Sequence, residues 1–348
     1  TGFKGSWLCI WLNYLGAHVY GISDSIPTVP SNFVASNVST YVTDLRIDIR
    51  DYASLNKAIH EINPDFVFHL AAQPLVRKSF SDPLSTWSIN TLGTVNLLES
   101  LRHLDHKCAV IVVTSDKAYD NVEWVWGYKE TDKLGGPDPY SASKGAADIA
   151  AQSFIRTYFI NNHPVRVAIA RAGNVIGGGD WADDRIVPDC IRSWSSNEVV
   201  ELRNPSSTRP WQHVLEPLSG YLVLALKLYD THDFHGEAFN FGPQSALNAS
   251  VGELVSLMAS HWGNAQYLDL STGNDLLHES VLLKLNCDKA LHYLDWTSVW
   301  DFATTVKATI DWYTLYYNTP LCNTHQFTLS QIECYSINAS AINLPWAL

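Results

Sequence analysis

The chain of 348 residues is long enough for about two domains. Its 46% apolar content, with 13 Trp, 16 Tyr and 12 Phe, excludes disorder as the main state. With 35 acidic against 23 basic side chains the net charge is −12, which argues against a broad phosphate-backbone footprint and hence against nucleic acid, yet leaves room for one anionic ligand held by a few arginines.

SWLCIWLNYL (6–15) places apolar residues at helical spacing and stops at Gly16, a residue type suited to end a helix. HVYGIS (18–23) then reads as a short buried strand, a second strand falls near 41–49, and a helix runs from Tyr52 to about Ile62. PDFVFHLAA (64–72) predicts an apolar strand, 84–104 one long helix, CAVIVVTS (108–115) a strand, 141–160 a helix and VRVAIARA (165–172) another strand. Short apolar strands alternating with helices predict a doubly wound α/β domain on a parallel sheet. After Gly173 the rhythm breaks: a short helix is expected near 185–196, a strand near 199–203, a helix over 214–230 and one more strand of the main sheet in EAFNFGP (237–243). Short helices follow residue 250, and VWDFATTVKATIDWYTLYYN (299–318) is an amphipathic helix. Residues 1–172 with 214–242 are therefore read as the larger domain, and 173–213 with 243–348 as a smaller α/β lid beside the sheet.

Cys9, Cys108, Cys190, Cys287, Cys322 and Cys334 have no close spacing, so they predict free thiols in the cytoplasm and no metal site. The sequons at Asn37, Asn248 and Asn338 would matter only in a secreted protein, and no apolar run reaches the length of a membrane span.

Gly2-Phe3-Lys4-Gly5 opens the first helix, and its two glycines fit the second and third of a dinucleotide fingerprint in a Rossmann-type sheet. Asp24 stands about 20 residues on, where a carboxylate accepts from a ribose 2′-OH and repels a 2′-phosphate, favouring NAD over NADP. Asp48-Ile49 is placed to cap the adenine, and Leu70-Ala71-Ala72 offers small residues beside the cofactor. The first glycine and its strand are not in the sequence, and Thr1 is not Met. The expectation is a chain lacking the central first strand, whose restoration should raise stability and NAD affinity together.

Tyr140-Ser141-Ala142-Ser143-Lys144 puts a phenol and an ammonium four residues apart on one helix face. The cation favours phenolate, so Tyr140 can take a hydroxyl proton, and Ser115, after the strand, can polarise the substrate oxygen.

TGFKG (1–5), DIRD (48–51), FHLAAQPLV (68–76), Asn90-Thr91-Leu92-Gly93-Thr94, YSASK (140–144) and ARAGNVIGGGDW (170–181) together resemble the extended short-chain dehydrogenase/reductase superfamily over nearly the whole chain. TSDKAYDN (114–121), EWVWGYKETDKLGGPDPYSASKG (123–145) and RPWQHVLEPLSGYL (209–222) narrow the resemblance to its nucleotide-sugar 4,6-dehydratases, and among them to those acting on CDP-glucose. The resemblance implies retained NAD, C4 oxidation with Tyr140 as base, Lys144 and Asn90 as cofactor contacts, loss of water across C5 and C6, and hydride return to C6. It also implies a homodimer or a dimer of dimers. Relatives carry Asp then Glu where this chain has Asp116 and Lys117, so Asp116 is assigned as the acid for the 6-OH and Lys117 as the C5 base. Lys117 must then be neutral, which burial or the Lys144 cation would favour; the alternative is that it orients a water or pairs with Asp116.

Asn174 matches the family's substrate-amide position. Arg185 and Arg209 are candidate diphosphate partners, with a solvated helix face the alternative for Arg185. Gln73 and His213 are candidate substrate contacts, with packing as the alternative. Two other functions stay open: a nucleotide-sugar 4-epimerase, which would not need the Asp116-Lys117 pair, and an inactive NAD-binding member.

Overall fold

The computed structural model describes residues 1–202, 204–244, 249–270, 282–319 and 322–348, so the sequon at Asn248 lies outside the described residues. The first half runs α1 (Phe3–Tyr14), β1 (Tyr20–Ser23), α2 (Asn32–Ala35), β2 (Thr43–Arg46), α3 (Tyr52–Ile62), β3 (Phe66–His69), α4 (Val76–Ser81), α5 (Pro83–Trp87), α6 (Gly93–Leu101), β4 (Cys108–Val113), α7 (Pro139–Thr157) and β5 (Val165–Ala172). The second half runs β6 (Val175–Ile176), α8 (Ile186–Ser195), β7 (Val200–Leu202), β8 (Thr208–Arg209), β9 (Gln212–His213), α9 (Leu215–Asp230), β10 (Ala238–Phe241), β11 (Ala249–Ser250), α10 (Val251–Trp262), β12 (Tyr267–Asp269), α11 (Asp288–Leu294), α12 (Phe302–Asn318) and α13 (Thr324–Ala341).

The main sheet is parallel in the order β10-β5-β4-β3, with Ile111 opposite Ala168 and Phe239 opposite Ala170. Successive residues of its central strands enter two cores, as pleating requires. Ala109, Ile111, Ala168 and Ala170 face α1, α8, α9, α12 and α13, while Val110, Val112, Val167 and Ile169 face α3, α6 and α7. This is the doubly wound arrangement expected from the periodicity, and the first core runs unbroken into α8, α12 and α13.

β1 pairs with β2 in a separate two-stranded sheet and is not hydrogen-bonded to β3. The expectation of a buried strand at 18–23 is corrected accordingly. Tyr20 is 48% and Phe66 37% exposed, because each strand pairs on one side among the described residues.

Helix boundaries follow local chemistry. Asp51 and Asp138 accept from Ser54 N and Ser141 N at the starts of α3 and α7, and Asn63 (φ 52°) ends α3. The helix expected over 84–104 is instead α5, a π turn at Ser88–Leu92, and α6. Asn90 and Thr91 in that turn bond Ser143 of α7 at 2.9 and 3.1 Å, and a side chain at Gly93 would strike Ile49. Tertiary contacts thus override the uniform helical pattern. α13 has no apolar stripe and escapes the periodicity reading; it packs on α1, with Trp11 edge-on to Tyr335 at 5.9 Å. No described helix is long and apolar enough to cross a membrane.

Candidate active site

A cavity of about 2570 Å³ opens where α1 begins and where β1, β3, β4 and β5 end, the location that a doubly wound sheet predicts for its ligand. Ser115, Asp116, Lys117, Tyr140 and Lys144 all line it.

The chain leaves β4 through Thr114 and Ser115 into a tight turn, Asp116–Ala118, capped by the Ser115 hydroxyl, which accepts from Lys117 N at 3.2 Å. Ser115 Oγ and Lys117 N both donate to Asp116 Oδ1, at 2.9 and 2.8 Å, while Oδ2 is buried with no partner. Burial pushes this carboxyl above the usual range, against the pull of Lys117 and Ser115. A carboxyl so placed is suited to hold a proton and release it to a ligand oxygen. Lys117 makes no ion pair with Asp116 within 4 Å among the described residues.

Tyr140 sits in the first turn of α7, where burial raises its phenol and the neighbouring Ser115 hydroxyl and Arg185 guanidinium oppose the rise. Lys144 shares the helix face but turns its ammonium to the Val113 carbonyl at 3.0 Å. Burial lowers that amine to about 8, with Asp148 acting in the opposite direction. Arg185, at the start of α8, bonds Asp180 at 2.7 Å, and its charge acts on both Tyr140 and Lys4. It is therefore turned into the cavity, which removes the solvated-face reading.

The glycine loop leaves room for a ligand. A Cβ at Gly2 or Gly5 would meet nothing within 4 Å, so neither glycine is required by packing; both leave open space at the N-terminus of α1. Those helical N–H groups, with no acidic residue in the first turn, suit a pyrophosphate. Phe3, Lys4, Asp24, Asp48, Ile49, Leu70, Ala71 and Ala72 line the same space. Asp24 accepts from Ser25 Oγ at 3.1 Å, and Asp48 is gripped through both oxygens by Arg50, which holds its carboxyl low. These features fit a dinucleotide.

Lys4 shows more than the sequence indicated. It donates to Tyr221 OH at 3.3 Å, and burial, aided by Arg185, lowers its amine to about 7 despite Asp116. Tyr221, fully buried on α9, was not singled out by any sequence signal.

Asn174 and Arg209 line the cavity; Arg209 Nη1 donates to Thr208 O at 2.8 Å. Two expected contacts, Asn90 and His213, are corrected, and a third, Gln73, is shared with its own turn. Gln73 lines the cavity, but its amide is spent on Leu75 N (2.6 Å), Leu75 O (3.0 Å) and Thr86 Oγ1 (2.9 Å), stabilising its own turn. Asn90 is buried behind it, bonding Gln73 N at 2.8 Å, and does not reach the cavity wall. His213 is sealed between Trp7 and Trp300, with ring centroids 5.6 and 4.8 Å away, and burial lowers its imidazole to about 3. The glycines of 177–179 are required by contact: a Cβ at Gly178 would lie 2.0 Å from the Trp312 ring, and Gly179 has φ +84°.

A family profile described as GDP-mannose 4,6 dehydratase matches residues 1–309. The chain is 46% identical over 318 residues to the CDP-glucose 4,6-dehydratase of Salmonella typhimurium, covering 90% of this chain and 88% of that protein. The dTDP-glucose 4,6-dehydratase DesIV of Streptomyces venezuelae, solved with NAD bound, superposes with a TM-score of 0.74 at 21% identity, covering 90% and 94% of the two chains. UDP-glucose 4-epimerase of Thermotoga maritima superposes at 0.75 with 22% identity, covering 89% and 95%. The two structures share the fold.

Proposed function

The chain belongs to the GDP-mannose 4,6-dehydratase family, and from that premise we propose that it is an NAD-dependent lyase converting CDP-glucose to CDP-4-keto-6-deoxyglucose. The observation that carries this reading is Asp116: a buried, partner-free carboxyl oxygen beside Tyr140 provides an acid for C6 that C4 chemistry alone does not need.

Residues 1–172 with 214–242 carry the dinucleotide in this proposal, and 173–213 with 243–348 carry the nucleotide sugar. Gly2 to Gly5 face its pyrophosphate, Asp24 its ribose hydroxyls, and Asp48, Ile49 and Leu70 to Ala72 its adenine and nicotinamide surroundings. Bound NAD supplies the hydride acceptor at C4 and the donor at C6. Tyr140 Oη takes the 4-hydroxyl proton while Ser115 Oγ holds that oxygen. Once C4 is a carbonyl the C5 hydrogen is acidic, so Lys117 Nζ can remove it as Asp116 Oδ2 protonates the leaving 6-oxygen. Asn174, Arg185 and Arg209 hold the sugar and diphosphate; Arg185, steered by Asp180, reaches the sugar end.

Parallel incubation with CDP-glucose, dTDP-glucose and GDP-mannose, with products identified by NMR, tests the proposal. A 4-keto-6-deoxy product from CDP-glucose is expected; a 4-epimer or no turnover rejects it. Lys117→Met should abolish exchange of the C5 proton with solvent, and surviving exchange removes Lys117 as the base. Leu84, Trp87, Leu92 and Ile149 leave apolar surface around α5 and α7, which we assign to a homodimer contact within the cytoplasm, to be checked by sedimentation.

A further inference from the structure

Arg171 of β5 and Asp148 of α7 are both fully buried, a placement that charged residues adopt only when paired. The guanidinium grips the carboxylate through both oxygens, Nε to Oδ2 at 2.7 Å and Nη2 to Oδ1 at 2.9 Å. The remaining nitrogen, Nη1, donates to Tyr119 OH at 2.8 Å and Glu130 O at 3.0 Å. Thr114 and Gln152 complete the carboxylate's partners at 3.3 and 2.8 Å. The ion pair itself is shielded from solvent, and neither Asp148 nor Arg171 lines the cavity.

Their position on the helix gives the pair its significance. Tyr140, Lys144 and Asp148 follow one another at intervals of four, so they stack along one face of α7, with Asp148 one turn beyond the ammonium. We infer that the Asp148–Arg171 pair is a positioning device that sets the charge of Lys144, each partner pulling it in the opposite direction. This inference rests on the reading of Tyr140 and Lys144 as the proton-handling couple.

Around Lys144 the charged or titratable neighbours are Asp148 on its own helix, with Arg171 of β5 bonded to it, Lys4 of α1 and His69 of β3. Asp116, Arg185 and Asp138 face Tyr140 instead. His69 is fully buried and neutral, and Lys4 is a like charge, so Asp148 is the anion that keeps the ammonium protonated. Arg171 tempers that field. Without it the carboxylate would favour the charged form of Lys144 more strongly; without Asp148 the guanidinium would add to the burial that disfavours that charge. The Tyr119 link fixes the guanidinium to the segment that follows Asp116 and Lys117.

The test titrates Lys144 directly, by NMR of protein labelled with ¹³Cε-lysine, with the signal identified through Lys144→Met. Asp148→Asn should lower the Lys144 midpoint by about one pH unit, and Arg171→Met should raise it by a similar amount. The charge-neutral double variant should return it close to the parent value. The alkaline limb of turnover with CDP-glucose should move in the same directions. Shifts of the same sign, or none, in variants that remain folded by thermal unfolding overturn the inference, because a purely structural pair has no reason to act with opposite signs. If Asp148→Asn does not fold, Arg171→Met against the double variant reads the same difference. Opposite shifts in a protein that turns over no nucleotide sugar would uphold the inference and reject the proposed function.

Discussion

The two walls of the cavity are built differently. Around β4, β5 and α7 the backbone pairs on both sides, the side chains are buried, and the polar groups are bonded into the Asp148–Arg171–Tyr119 network. Around β1 and β2 the sheet is a separate two-stranded piece, half exposed, and Asp24 and Asp48 bond to near neighbours in sequence. Groups that move protons need fixed distances and a low dielectric, whereas a pyrophosphate can be held by helix N–H groups and local carboxylates. The contrast predicts that substitutions on the first wall change rate, and that those on the second change affinity.

The largest effect should come from Tyr140→Phe, which removes one oxygen from an otherwise unchanged wall. Turnover should fall by about 10²–10⁴-fold with an unchanged thermal midpoint; a comparable fall in stability would mean that the phenol is structural. Asp116→Asn should cost about 10²-fold in water elimination, read from product NMR. Burial raises the Asp116 carboxyl, so its acid form is present below that raised value and lost above it. Elimination by the parent enzyme should therefore decline as pH rises through this ionisation, and the Asn variant should lose that limb. Asp24→Ala, on the second wall, should weaken NAD by only about tenfold, with little change in maximal rate. A rate effect as large as that of Asp116→Asn would erase the distinction between the walls.

The sequence conveyed most where a signal is local and contiguous. β4, β5, α3 and the YxxxK turn are legible because burial on both faces, an Asp cap or a four-residue spacing is written into consecutive residues. The placement of Tyr140, Lys144 and the glycine loop around one cavity follows from that order. Long-range partners were not legible: Lys4 meets Tyr221 across 217 positions, and Asp148 meets Arg171 across 23. His213 was misassigned because a single motif string, RPWQHV, contributes Arg209 and Trp211 to the cavity and then enters the core between Trp7 and Trp300. Gln73 lines the cavity, yet its amide also bonds its own turn, a use that no local pattern reveals. The break in the helix over 84–104 has no local cause, since Asn90 and Thr91 are drawn to Ser143, more than fifty positions away.

The packing of α13 on α1 joins distant parts of the chain: Ser36 bonds Thr324 across 288 positions, and Tyr335 bonds Glu216 at 2.7 Å. Trp312 and Tyr313 of α12 likewise hold the Gly178–Asp180 loop against which Arg185 is set. Because a ribosome delivers the chain from its N-terminus at about 5–20 residues per second, α1 must wait some fifteen seconds or longer, at about those rates, for its last partner. The part of its apolar face that α13 covers is bare throughout that interval. Closing such distant contacts is slow, so the contacts of α13 are among the last to form, and the nascent chain has reason to meet a chaperone first.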